Sequence, residues 1–320
     1  MEQLGINVPH EDRFYPYRST FDYESYFDKS DFPDAGEKSV WVARHVPCSV
    51  SVCSNVPNFE QPKCFINANP QRLVHDKMQH LEPIADAAFE ILKEKFQYVF
   101  DQLERENKQH QVVKGRFVSY LQEHIVIGFN SSSYDIPLVK ALLEYLLGEI
   151  KFVILKGKNF TCLTTAKLKF LDIKNYIAPG FDYAKFIRAY EVEQQKFYWP
   201  YEWFKNFQKL DEPTLPPHEA FYSSLKKENI NQEAYALCQM VWKDKNWTSM
   251  RDHLEYYNNL DVEPFLQAVE KLFNAHKELG LDAFKSSLTL HGLTLQLMFS
   301  DLPPGVYFTL INCQTPTSTS

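Results

Sequence analysis

Hydrophobic and polar positions along the chain mark out alternating strands and helices. "STFDYESYF", residues 19–27, reads as a short strand, and "KSVWVARHVPCSVSVCSNV", residues 38–56, as one or two more, with alternation at Val46, Val50 and Val52. Residues 70–108 carry a long helical period, with Pro83 a predicted break or start. The apolar run "HIVIGF", residues 124–129, predicts another strand. The polar turn "NSSSYD" follows, and Ile136, Leu138, Val139, Leu142, Leu143 and Leu146 then recur at helical spacing. "FVILKGKNFTCLTTAKLKFLD", residues 152–172, predicts two strands around a Gly-Lys-Asn turn. A short helix is predicted within 176–192, an ordered loop rich in Pro and aromatics over 196–217, and helices over 231–242, 248–277 and 282–299. Residues 1–18 read as an extended lead-in and 311–320, "INCQTPTSTS", as a disordered polar tail.

Composition narrows the class. The 320 residues, 44% apolar and 23% charged, suit a globular protein with a large core. A net charge of −7 argues against coating nucleic acid by charge alone, yet it is compatible with an acidic site that carries divalent cations. The 25 Phe and 18 Tyr suit thick cores or surfaces that stack on bases. Six cysteines show no metal-binding spacing and read as reduced thiols of an intracellular, non-secreted protein. No apolar run approaches membrane-spanning length, so no membrane partner is expected.

Three acidic patterns carry candidate chemistry. Asp22 and Glu24 lie two apart on a predicted strand, so both point to one face; two adjacent carboxylates are unfavourable unless a cation lies between them. Asn130, Tyr134 and Asp135 stand at a strand-to-helix junction, where Ser, Asn and Asp also serve as ordinary helix caps. Tyr257 precedes Asp261 by four on a predicted helix, which puts phenol and carboxylate on one face, one turn apart. Each pattern alone has a bland explanation: a solvated strand edge, a cap, a side-chain hydrogen bond.

Taken in order, the three patterns resemble the exonuclease motifs of family B DNA polymerases, the ribonuclease H-like DEDDy exonucleases. "KFYWPYEWF", "LPPHEAFYSSLKKENI" and "YYNNLDVEPFLQA" look like the protein-primed branch, which includes adenovirus, linear-plasmid and Polinton/Maverick polymerases. The resemblance covers residues 15–310 and implies an α/β, ribonuclease H-like fold: a mixed sheet flanked by helices, with a helical C-terminal part. It implies an exonuclease domain over 19–280, the start of a link to a polymerase palm over 281–310, and a 3′–5′ exonuclease working on two Mg²⁺ or Mn²⁺ ions. By the same resemblance Asp22, Glu24, Asp135 and Asp261 are metal ligands, Tyr257 orients the attacking water, and Lys196 offsets charge on the scissile phosphate. Asn130, Tyr134 and Ser131 would hold the unpaired 3′ end of DNA.

The sequence departs from the branch in two places. Ile173 and Lys174 stand where a hydroxyl and a leucine contact the strand, although Lys174 can reach a phosphate. The palm signatures of the polymerase are missing, and the polymerase half would begin about where this sequence stops; a truncated gene model, a pseudogene product or an alternative end is expected. Expected partners are the single-stranded 3′ end, the missing polymerase domain and a terminal protein. Two other readings stand beside this one: a non-catalytic remnant that binds single-stranded DNA or terminal protein, and a separate DEDD nuclease acting on RNA.

Overall fold

A computed structural model describes residues 4–28, 44–104, 108–142, 150–193 and 197–300. Its centre is a mixed seven-stranded sheet in the order β3-β2-β1-β4-β7-β6-β5. β1 (Arg18–Asp28) pairs antiparallel with β2 (Arg44–Ser54), which pairs antiparallel with β3 (Lys63–Ile66). On its other side β1 runs parallel to β4 (His124–Gly128), and β4 parallel to β7 (Leu168–Asp172). The antiparallel hairpin of β5 (Phe152–Lys156) and β6 (Asn159–Thr164) extends the sheet beyond β7. This is the mixed sheet flanked by helices that an α/β, ribonuclease H-like fold requires: an antiparallel meander, then β4 and β7 added in parallel, β4 by a crossover through helices and β7 after the β5–β6 hairpin.

Strand alternation decides which helix covers which face. Phe21 and Tyr23 point to one face and pack with Val50, Val52 and Val126 beneath α1 (Pro70–Lys95). Thr20, Asp22 and Glu24 point to the other, where α7 (Met250–Glu278) crosses; the Thr20 hydroxyl donates to the Val262 carbonyl at 2.9 Å. Farther along that face Ile125, Ile127 and Leu171 bury Phe265, Val269 and Leu272 of α7. Ile6, Phe14 and Tyr15 join the same core from the N-terminal side, and Leu281, Phe284 and Leu293 from the C-terminal side.

Several predicted elements are corrected. Pro83 neither breaks nor starts a helix: α1, capped by Asn69, runs through it, because Leu81 and Ile84 on either side are fully buried and packing offsets the lost hydrogen bond. The 70–108 helix ends at Lys95; α2 (Gln97–Leu103) and α3 (Lys108–Gln122) follow separately. Residues 152–172 form three strands rather than two, and β3 was not foreseen. The helix expected over 282–299 begins only at Leu290 (α8, Leu290–Ser300), since the Asp282 carboxylate collects the N–H groups of Tyr15, Phe284 and Lys285 and holds the chain in an irregular turn. The short helix over 176–192 is α5 (Tyr183–Ala189), and that over 231–242 is α6 (Gln232–Asp244). Leu143 and Leu146, Lys196 and the 311–320 tail lie outside the described residues. No described helix is long and apolar enough to cross a membrane.

Candidate active site

β1 supplies the first two acids. Asp22 faces Ser51 and Glu24 faces Ser49 across the β1–β2 ladder, and a bulge after Glu24 shifts the register, which re-aims Glu24 and Ser25. α7 supplies the third. Tyr257, Asn258 and Asp261 lie on the helix face turned to β1, and the capping box of Ser249 and Asp252 fixes where that helix starts. Carboxylate oxygens of Asp22, Glu24 and Asp261 all lie within 4.8 Å of one another.

That cluster is electrostatically expensive. Burial, then the Asp261 charge, pushes the Asp22 carboxyl well above the usual range. Burial, then Asp22 and Asp261, does the same to Glu24 against a counteracting hydrogen bond from Tyr201. Burial pushes Asp261 up to about 7. No Lys or Arg forms an ion pair with any of the three among the described residues. A hard, all-oxygen donor set of this kind suits Mg²⁺ or Mn²⁺.

Asp135 sits beside this group rather than within it. It opens α4 (Asp135–Val139), is 1% exposed, and accepts from the Tyr23 N–H at 3.3 Å. Its carboxyl is raised by burial and by Asp22, and lowered by that N–H and by Lys77. Lys77 reaches in from α1 over the rings of Phe21 and Tyr23, 4.3 and 4.6 Å from their centroids, and burial lowers it to about 7.

The turn before Asp135 is built on Asp172, at the end of β7. The Asp172 carboxylate accepts from the N–H groups of Asn130, Ser132 and Lys174 and from the Ser132 hydroxyl. The serines therefore do not cap α4: the residue preceding it is Tyr134, with no side-chain cap. Ser131 is 3% exposed and its hydroxyl donates inward to the Leu171 carbonyl at 3.4 Å. Asn130 takes a left-handed φ of 60°, and Lys174 Nζ donates to its Oδ1 at 3.1 Å, so these two predicted strand contacts are neighbours. The Tyr134 hydroxyl bonds Ser25 Oγ at 2.8 Å and His45 Nδ1 at 2.9 Å. Phe129 packs among Tyr183, Phe186 and Phe265 as a core residue.

Gly128 makes this turn possible, because a Cβ there would stand 2.5 Å from Ser131 Cβ. Gly128→Ala is expected to destabilise the protein by about 1–3 kcal/mol through overpacking. Gly115→Ala in α3, where a Cβ meets nothing within 4 Å, is expected to be neutral or stabilising. Thermal melts of both variants check the pair, and equal melting temperatures would remove the close approach as a constraint.

Sequence reasoning missed four residues of the site. Tyr201, from the aromatic loop, donates to Glu24 Oε1 at 3.3 Å and meets the Tyr257 hydroxyl at 2.8 Å. Asn258, fully buried, donates to both the carbonyl and the Oδ2 of Asp22 and accepts from Ser49. Asn258 carried a readable signal, since it lies three before Asp261 on the same helix face. Asp172 and His45 carried none.

No protein-family model and no curated protein matches the chain. Among solved structures the chain is similar to the family B DNA polymerase of the hyperthermophilic archaeon Pyrobaculum calidifontis, at 15% identity and a TM-score of 0.37. The match covers 87% of this chain and 26% of that polymerase, so the chain spans about a quarter of its length.

Proposed function

We propose that the chain is a metal-dependent 3′–5′ exonuclease acting on unpaired DNA ends, the proofreading portion of a protein-primed family B DNA polymerase. The observation that carries this reading is the convergence of Asp22, Glu24 and Asp261 within 4.8 Å. Scattered acids would not meet from a strand and a distant helix at the order and spacing of the three motifs. In this reading Asp22, Glu24 and Asp261 hold one Mg²⁺ or Mn²⁺ ion, and Asp22 with Asp135 holds the second. Two such ions, when bound, activate a water and stabilise the leaving 3′-oxygen.

The chain's own groups do the positioning. The Tyr257 phenol, held by Tyr201, orients the attacking water beside Glu24. Asn130 and Lys174 hold the strand's phosphates or base edges at the rim of the Asp172 turn, and the Tyr134 ring supports the frayed end. Ser131 seats the turn. Lys196 offsets charge on the scissile phosphate. The polymerase half and a terminal protein are the partners this reading implies.

Tyr257→Phe is expected to lower the turnover rate about 10- to 100-fold with little change in KM, since it removes a water-orienting hydroxyl and leaves the ring in place. Single-turnover digestion of an oligonucleotide checks this; an unchanged rate would remove the phenol from the chemistry. The reading as a whole is tested on a 5′-labelled single strand with Mg²⁺, Mn²⁺ or EDTA. Stepwise shortening from the 3′ end that stops with EDTA supports it. No shortening by folded protein favours the non-catalytic single-strand binder.

A further inference from the structure

Tyr201 and Tyr257 have a second surface. Besides reaching toward Glu24, both line a cleft of about 490 Å³ between the aromatic loop, residues 221–231 and α7. None of the residues of the 129–134 turn lines it, so it is separate from the strand contacts assigned above. Tyr198 completes its open aromatic wall, while Phe197, Trp199 and Phe221, only 5–7% exposed, back it from the core. Such a volume takes one nucleoside, and rings of this kind offer stacking faces that every base can use.

The polar rim is mostly donor. Asn229 and Asn231 line the cleft with their carbonyl oxygens already committed, to the N–H groups of Ile230 and Ala234, which leaves their amide N–H groups to offer. Asn231 is also the cap of α6, so the positive end of a 13-residue helix abuts the same rim. Lys226 is exposed on the rim and forms no ion pair among the described residues. The one acid there, Glu228, is an acceptor suited to an exocyclic base amino group.

We propose that this cleft binds one nucleotide of the single strand whose 3′ end lies at the acids, its base against the tyrosine rings and its phosphate toward Lys226 and the start of α6. The proposal rests on the exonuclease reading for the identity of the strand. The aromatic loop then has two tasks: its Tyr201 braces Tyr257 at the acids, and its other face grips the strand a short distance away.

The test is fluorescence anisotropy of the full chain with a 5′-labelled oligothymidylate in EDTA, where no hydrolysis competes. Lys226→Glu is expected to weaken binding about 10-fold and to flatten the salt dependence by about one phosphate contact. Lys227→Glu, an identical change of charge on the same turn at a residue that does not line the cleft, is expected to change affinity by less than about 2-fold. Tyr198→Leu removes a ring that is open to the cleft and is expected to weaken binding about 5-fold or more. Circular dichroism checks that this variant folds. Equal effects of the two lysine variants, or no binding by the unaltered protein, overturn the proposal. Digestion by the unaltered protein with unchanged binding in the variants removes the cleft alone. The expected binding losses without any Mg²⁺-dependent digestion keep the cleft and remove the exonuclease.

Discussion

Asp22→Ala is expected to reduce 3′-end digestion by about a thousandfold or more while the protein stays folded. Asp22 lies within 4.8 Å of Glu24 and Asp261, and it is the neighbouring acid whose charge most raises Asp135 from the far side. Losing it therefore removes a ligand common to both proposed ions, which Asp135 or Asp261 cannot replace from their own backbones. The fold should survive, because Asn258 keeps its bond to the Asp22 backbone carbonyl and β1 keeps its ladder to β2. Removing one of several mutually repelling carboxylates should stabilise the metal-free protein at neutral pH rather than weaken it. Rate measurements with melting curves in EDTA check both halves. Undiminished digestion with an unaltered melt would remove Asp22 from the chemistry, and a collapsed melt would make it a structural residue.

The parts of the site that were legible in the sequence are those a single element encodes. Period two puts Asp22 and Glu24 on one face of β1, and one helical turn puts Tyr257 with Asp261, whatever else the chain does. The junction at 128–135 was legible as strand, turn and helix, but its builder was not. Asp172 stands about forty residues away in sequence and contributes a carboxylate to three backbone N–H groups, a contact that no local pattern announces. Tyr201 reaches Glu24 over a separation of 177 residues, for the same reason.

Errors in the fold also have local causes. The missed β6–β7 hairpin turns at Thr165, whose hydroxyl accepts from the Lys167 and Leu168 N–H groups, so a threonine did the work that Gly, Pro or Asn usually signals. Pro83 reads as a break or start because its ring disfavours a helix interior, and the burial of Leu81 and Ile84, which no local pattern announces, overrides that preference.

Asp261→Asn is expected to stabilise the metal-free protein relative to the unaltered one at pH 7.5 and to lose most of that advantage at pH 5. An unfolded aspartate titrates near 4, whereas in the folded protein Asp261 is pushed up to about 7. Between those values the folded state holds a proton that the unfolded state has released, so this group's contribution to stability is full below about pH 4 and is lost as pH rises through about 7. Asn removes the charge altogether, so the difference between the two proteins should grow with pH to about 2–4 kcal/mol, shared as it is with Asp22 and Glu24. The comparison has to be a difference, because half-buried His80 and buried His124 and His253, all lowered by burial, act in the opposite sense over part of the same range. Adding Mn²⁺ at pH 7.5 should close the gap, since a cation among the carboxylates stabilises only the protein that keeps them charged. Melting curves at both pH values, with EDTA and with Mn²⁺, read all of this. A difference that ignores pH would mean that burial does not hold the Asp261 carboxyl protonated, and one that ignores Mn²⁺ would mean that the three acids do not act together on a cation.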